Sequence, residues 1–181
     1  MAEGGPSRKR VASPGVELEI EIMRHGDAWP PAQVTDVMLK QAARAALLAA
    51  PPLRQGTYQL TIVLTGDAEM RTLNRTWRGK DAATNVLSFP ADDGIGEPGL
   101  LGDVVLAYET TRKEAREQDI ALQDHVSHLV IHGVLHLLGL DHAEDAEAER
   151  MENLERAALA SLGIADPYAD EERARPAEMS S

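Results

Sequence analysis

The sequence predicts an α+β domain built on a four-stranded sheet, and three observations carry that prediction. Short segments with strand-like alternation or β-branched content stand early in the chain, interleaved with helices. Longer segments with helical periodicity dominate the second half, the order expected of an α+β layer rather than of repeated βαβ units. A chain of 181 residues fits one domain and is long enough to bury a sizeable core.

Residues 1–16 hold Gly-Gly-Pro, Ser-Arg-Lys-Arg and Ser-Pro-Gly and lack the apolar run of a signal peptide, so they are expected to be a disordered tail. The domain is assigned to residues 17–168, and the polar segment 169–181 to a second disordered tail. Leu18–Ile22 alternates apolar and charged residues at the period of a half-buried strand. A helix is expected from about Ala32 to Ala50, where Pro51 and Pro52 stop it. Tyr58–Thr65 reads as a second strand, and Asp67 as the N-cap of a helix through about Arg75, with Glu69 near its positive end. Thr84–Phe89 is a third strand closed by Pro90. Residues 91–99, with two aspartates, three glycines and a proline, read as a mobile connection. Asp103–Tyr108 supplies the fourth strand and Glu109–Gln118 a polar helix. From Leu122 to Leu138, Val126, Leu129, Val130, Val134, Leu137 and Leu138 almost surround the helix axis, which marks a buried central helix. Ala146–Leu162 forms the last helix, ended by Gly163.

The chemistry is concentrated in residues 132–142, His-Gly-Val-Leu-His-Leu-Leu-Gly-Leu-Asp-His. Positions four apart on a helix lie on one face, so His132 and His136 can reach one metal ion. Gly139 supplies the left-handed conformation that ends the helix, and the reversal returns His142 to the same ion. Three neutral imidazoles at ~2.0–2.1 Å suit Zn²⁺ and leave a fourth position open, as in catalytic rather than structural sites. Three packing histidines with a glycine at the helix break would be a poorer account of the same pattern. Zinc peptidases place a glutamate general base directly after the first histidine of such a helix. Gly133 stands there, so ordinary proteolysis is disfavoured; a glutamate substituted at 133 is expected to bring a carboxylate close to the ion.

The whole motif resembles the signature of the YbeY endoribonucleases, bacterial factors of ribosomal RNA maturation. A second block agrees: Arg78-Gly79-Lys80-Asp81, followed by Thr84-Asn85-Val86-Leu87-Ser88-Phe89-Pro90, looks like that family's second block. Leu101-Gly102-Asp103 is similar to a third, shorter element, and the likeness spans about residues 17–168. The resemblance implies a mixed sheet packed around the central ligand helix. It also implies a single-strand-specific, zinc-dependent endoribonuclease with one Zn²⁺ per chain, acting in maturation and quality control of small-subunit (16S) ribosomal RNA. Partners would be single-stranded RNA, ribosomal RNA, the small ribosomal subunit and its assembly factors. The matching arginine is regarded in the family as catalytically important, which puts Arg78 in a catalytic role. A guanidinium fork matches two phosphate oxygens and can stabilise charge that develops during phosphodiester cleavage.

Other residues are candidates of lesser weight. Arg71, Arg75 and Lys80 form, with Arg78, a run of ten residues without an acid and are assigned to RNA binding. His128, one turn before His132, can orient a ligand, carry a proton or contact substrate. Asp141 can hold the turn or accept a proton from a ligand imidazole, and Asp103 either reaches toward the metal's water or starts a strand. His125 reads as surface or core, and His25 has no identifiable partner. Ser88 has no adjacent base and is not a nucleophile. No general base stands out, and both water and the ribose 2′-hydroxyl remain candidates for the attacking oxygen.

Composition limits the alternatives. Without cysteine, neither a disulfide nor a thiolate metal site can form, which together with the lack of a signal peptide fits a cytoplasmic protein. The longest apolar stretch, Ala42–Pro52, is interrupted by Arg44, so no membrane span is expected. The net charge of −12 and pI near 4.9 sit awkwardly with RNA binding. Much of that charge is Glu144, Asp145, Glu147, Glu149, Glu152 and Glu155, expected to be a solvated face of the last helix or a surface for a basic partner. Two rival functions remain at this point: a metallopeptidase-like hydrolase, and a non-enzymatic assembly factor braced by zinc.

Overall fold

The computed structural model describes residues 15–91 and 97–169, so the expected N-terminal tail up to residue 14, the middle of the 91–99 connection and the C-terminal tail from residue 170 lie outside it. Nine elements follow in order: β1 (Val16–Arg24), α1 (Asp36–Ala49), β2 (Gly56–Thr65), α2 (Asp67–Arg78), β3 (Val86–Pro90), β4 (Gly99–Ala107), α3 (Tyr108–Glu117), α4 (Leu122–Leu137) and α5 (Asp145–Ser161). The four strands form one mixed sheet in the order β1-β2-β4-β3. β1, β2 and β4 run parallel, and β3 lies antiparallel to β4 at the edge.

Strand alternation divides the core between the two faces of the sheet. Leu60, Ile62, Leu64, Val104 and Leu106 join α1, α4 and α5 in the main core. Leu87, Val105 and Ala107 point the other way and pack under α2 through Met70. The ligand-bearing α4 is therefore enclosed by helices on one side and by β3 and β4 on the other, and Val126, Val130, Ile131, Val134 and Leu135 are all fully buried.

α3 and α5 each begin one residue earlier than the sequence expectation, and the starts of α1 and α2 differ from it for a physical reason. α1 begins four residues later than Ala32, because the Pro30 carbonyl holds a turn by accepting from Gln33 and Val34, and Thr35 then caps the helix by accepting from the Met38 N–H at 3.2 Å. Asp67 does not cap α2; Gly66 occupies the cap and Asp67 is the first helical residue. Its carboxylate instead accepts from the backbone and hydroxyl of Thr110 on α3 at 3.1 and 2.8 Å, while Glu109 accepts from the Asp67 N–H at 2.8 Å. The exchange arises because Thr65 and Ala107 are register partners, so the helices that follow them start side by side with both positive ends needing a carboxylate. At the chain ends, β1 begins at Val16, a buried residue placed by the sequence reading in the N-terminal tail.

Gly133 has a packing role. A Cβ built on it would lie 2.7 Å from Val104 Cγ1 and 3.1 Å from Ser88 Oγ, and the Ser88 hydroxyl donates to the Gly133 carbonyl at 3.0 Å. The absent side chain lets α4 press its backbone onto β3 and β4. A glutamate here would enter the sheet and not the metal site, contrary to the expectation from the peptidase pattern. Gly133→Ala is predicted to cost about 1–3 kcal/mol by overpacking and Gly133→Glu more. Thermal melting should show a drop of about 2–4 °C per kcal/mol lost; an unchanged midpoint in the alanine variant would refute the tight contact.

Candidate metal centre

The last turn of α4 positions two histidines and turns the chain to deliver a third. Leu140 N–H bonds the Leu135 carbonyl at 3.1 Å and Gly139 N–H bonds the His136 carbonyl at 3.0 Å, with Gly139 at φ 95°, the pairing of a Schellman turn. The reversed chain presents the Leu140 carbonyl to His136 Nδ1 at 3.0 Å. Two residues on, His142 completes the group, its N–H accepted by the Asp141 carboxylate at 2.7 Å. One nitrogen of each of His132, His136 and His142 lies within 4.8 Å of the others. Ring centroids are 4.6, 5.6 and 5.0 Å apart for the pairs 132–136, 132–142 and 136–142.

Hydrogen bonding sets the tautomers. A carbonyl only accepts, so His136 carries its proton on Nδ1. His132 Nδ1 is 2.5 Å from a carboxylate oxygen of Glu155 and likewise donates. The two Nε2 atoms are left with lone pairs facing each other at 3.1 Å. A metal ion, or a proton shared between the two nitrogens, relieves that repulsion, and the spacing is close to the ~3.3 Å edge of a tetrahedron with bonds of ~2.0–2.1 Å. Burial, then the neighbouring His132 and His142, hold His136 below the usual histidine range, which keeps it in the neutral form that binds metal. The residues present therefore fit a three-imidazole metal site, and His142, with its side chain 58% exposed, leaves it open to solvent.

Glu155 is the functional residue that sequence reasoning missed. In the sequence it stands within an acidic run expected to be solvated, yet it is 1% exposed and is surrounded by donors: His132, His128 Nε2 at 3.2 Å and the Tyr168 hydroxyl. Burial alone would raise its pKa; hydrogen bonds from His128, His132 and Tyr168 outweigh burial and bring it down to about 2. A signal was available. The buried positions of α5 are Met151, Glu155, Ala158 and Leu159, so Glu155 stands on the helix's apolar stripe. Tyr168 carries no such signal, being the last residue that the sequence assigns to the domain. It is held by Asp166, which accepts from its N–H at 2.8 Å, and by Arg156, whose guanidinium lies 5.3 Å from its ring.

The remaining candidates are dispersed. His128 lies beneath the metal ligands, where it helps position Glu155; no contact with substrate is needed to explain it. Asp141 holds the turn, with Oδ1 3.7 Å from His142 Nδ1. Asp103 is in the middle of β4, paired across to Thr61 and Phe89, and shares the α2 face with Val105, whereas its neighbour Val104 meets α4. Strand alternation thus turns it away from the ligand helix; burial raises its pKa, a hydrogen bond from Thr61 partly offsetting this. Arg71 is engaged by Asp81 through two bonds of 2.7 and 2.9 Å, and Arg75 approaches the same carboxylate at 3.9 Å, so the basic run is partly neutralised by the acid just beyond it. Lys80 follows Gly79 on an exposed loop. Arg78, the last residue of α2, donates to the Ser88 carbonyl at 2.9 Å, and Ser88 bonds Gly133 beside His132. Two hydrogen bonds thus connect Arg78 to the ligand helix. His125 is buried against Glu114 at 2.8 Å, and His25 meets Glu69 at 3.0 Å.

Comparison with known proteins agrees with this geometry. The family model described as Endoribonuclease YbeY matches residues 31–163. The chain belongs to the YbeY family. A relative from Paramagnetospirillum magneticum named Endoribonuclease YbeY is 49% identical over 167 residues, covering 86% of this chain and 99% of that protein. One from Pseudomonas putida with the same name is 50% identical over 157 residues, covering 86% and 96%. The solution structure of TM1509 from Thermotoga maritima superposes with a TM-score of 0.52 at 19% identity, over 90% of this chain and all of that one, a likeness of fold. No helix among the described residues is long and apolar enough to cross a membrane.

His132→Ala and His136→Ala are each expected to lose stoichiometric zinc, because removing one of three ligands forfeits a bond and the site's geometry. Metal analysis of the purified variants checks this, and one tightly held zinc per chain in either would overturn the assignment. Glu155→Gln should keep the fold by circular dichroism but weaken zinc binding about 10- to 100-fold, the range for losing the acceptor that orients a ligand imidazole. Competition with a chromophoric chelator measures it; wild-type affinity would show Glu155 to be structural only.

Proposed function

We propose that this chain is a zinc-dependent endoribonuclease that cleaves single-stranded RNA. Its substrate would be small-subunit ribosomal RNA during maturation and quality control in the cytoplasm. The observation that carries the reading is the group of three imidazoles, with facing lone pairs, at an open surface of a chain whose family members are named endoribonucleases. Zinc suits a donor set of neutral imidazoles without thiolate, and bound there it would supply Lewis acidity to a phosphoryl group.

The chain's own residues do the rest. Among the described residues, Arg78 spends one N–H donor on the Ser88 carbonyl, and the remainder of its fork can take two phosphate oxygens. Held by the β3 backbone and, among the described residues, by no carboxylate, it is available to the phosphate, where negative charge grows in the transition state. Glu155 and the Leu140 carbonyl keep the two helix imidazoles in one tautomer. Peptide hydrolysis of the zinc-peptidase type lacks its glutamate, since position 133 is a glycine pressed on the sheet.

With zinc, the protein should cut single-stranded ribosomal RNA, spare duplex RNA and lose activity to a chelator, with His136→Ala prepared in parallel to exclude contaminating ribonuclease. Undiminished cleavage by that control would remove the enzyme reading in favour of a zinc-braced assembly factor, and cleavage of unfolded polypeptide instead of RNA would favour a peptidase. Arg78→Ala should lower RNA cleavage roughly 10²- to 10³-fold while zinc content and melting temperature stay nearly unchanged. Arg78→Lys should recover little, because a point charge lacks the fork. Parallel loss of folding and activity would make Arg78 structural. End-group analysis then separates the two chemistries: a 2′,3′-cyclic phosphate reports attack by the ribose hydroxyl, and a 5′-phosphate reports attack by water.

A further inference from the structure

Trp77 is out of place by the rules that shape the rest of the molecule. Among the described residues the other large exposed hydrophobic side chains are non-aromatic, whereas this indole stands 69% exposed on the last turn of α2. Trp29, by contrast, is 4% exposed, donates to the Thr65 carbonyl at 2.8 Å and packs edge-on against Tyr108. Trp77 has an aromatic support of its own: Phe89 meets it at 6.5 Å between centroids with planes inclined at 66°, so one edge is braced while most of the ring surface meets water.

The surroundings indicate what the ring is for. The Arg78 guanidinium lies 6.0 Å from the same Phe89 ring, so Trp77 and Arg78 flank one aromatic side chain. Arg78 is tied to Ser88, and Ser88 to Gly133 next to His132, so an unbroken series of contacts runs from the metal ligands to the indole. β3 is an edge strand, and both Arg78 and Trp77 contact it, so a polymer crossing this edge from the metal centre would run beside them. The local charge suits a polyanion. Arg71, Arg75, Arg78 and Lys80 cluster with one carboxylate, Asp81, among the described residues of that end of α2 and the turn after it, in a chain whose net charge is −12. An exposed aromatic beside cations that follow a backbone is the arrangement with which proteins hold unpaired nucleic acid.

We propose that Trp77, braced by Phe89, is a stacking platform for an unpaired base of the RNA strand whose phosphate Arg78 holds. The proposal rests on the endoribonuclease reading and deepens it: part of the preference for single strands is set here, because bases in a duplex have no free face to offer. Nothing in the stack reads a base edge, so the platform is sequence-tolerant.

Trp77 is its own reporter. Titrating a short 2′-O-methylated single-stranded RNA into the zinc-loaded full chain should quench the exposed tryptophan emission, and an abasic ribose-phosphate strand of equal length should not. In Trp77→Phe only the buried Trp29 remains, so the response should vanish while most of the affinity persists. Trp77→Ala should raise KM for single-stranded RNA about 5- to 100-fold, the range for one lost base stack, with kcat changed far less. Retained zinc content and circular dichroism would show that the variant is folded; should it misfold, the fluorescence titration of wild type and Trp77→Phe still decides. RNA that is bound and cleaved normally without any fluorescence response, or with an unchanged KM in folded Trp77→Ala, would overturn the platform and leave the endoribonuclease reading intact. Absence of both RNA binding and cleavage in the wild type would overturn both.

Discussion

Two imidazole lone pairs held 3.1 Å apart are the constraint around which the rest of the structure is arranged. Left alone they repel, so the arrangement calls for each ring to be fixed from behind and for positive charge, a metal ion or a shared proton, in front. Glu155 fixes one ring and the Leu140 carbonyl the other. The backbone beneath them must also be still. α4 achieves this by being apolar nearly all round and by resting its glycine directly on Val104 and Ser88, so the helix has no room to rotate.

The same logic accounts for the acidic balance of a chain read as handling RNA. Several carboxylates are tied to partners within the fold, which reduces their repulsion of a phosphate. Glu155 is buried under the histidines, Asp67 and Glu109 satisfy each other's helix starts, and Glu114 takes His125 and Asn85. The acids of the early turns of α5 remain exposed, but they belong to a different helix from the one carrying Trp77 and Arg78. Net charge is a property of the whole surface, whereas a strand of RNA responds to the charge within about a Debye length, roughly 8–10 Å, of its own path.

Ser88 joins the two halves of the site. Its hydroxyl serves the ligand helix and its carbonyl serves Arg78, so a residue dismissed as a nucleophile sets how far the guanidinium stands from the metal ligands. The edge position of β3 matters for the same reason. An edge strand has one side free of other strands, and here Arg78 takes up a carbonyl on that strand while remaining exposed to solvent.

Much of this was legible from the chain alone, for local reasons. The His132/His136 spacing, the helix-ending Gly139 and the return of His142 are all decided within eleven residues by helical geometry and one left-handed position, and the four strands and five helices follow from periodicity. What tertiary structure alone decided are the pairings between segments distant in sequence. Glu155 was misread because an acidic run masked its place on a buried stripe, and it acquires its role only when α5 packs against α4. Asp103 was misread because the face a strand residue takes depends on which helix covers which side of the sheet, and Gly133 because its neighbours come from two strands far upstream. Local sequence dictates backbone geometry and the spacing of side chains along one element. Which buried donor meets which acceptor is settled by packing, since it depends on distances that exist only once the elements are assembled.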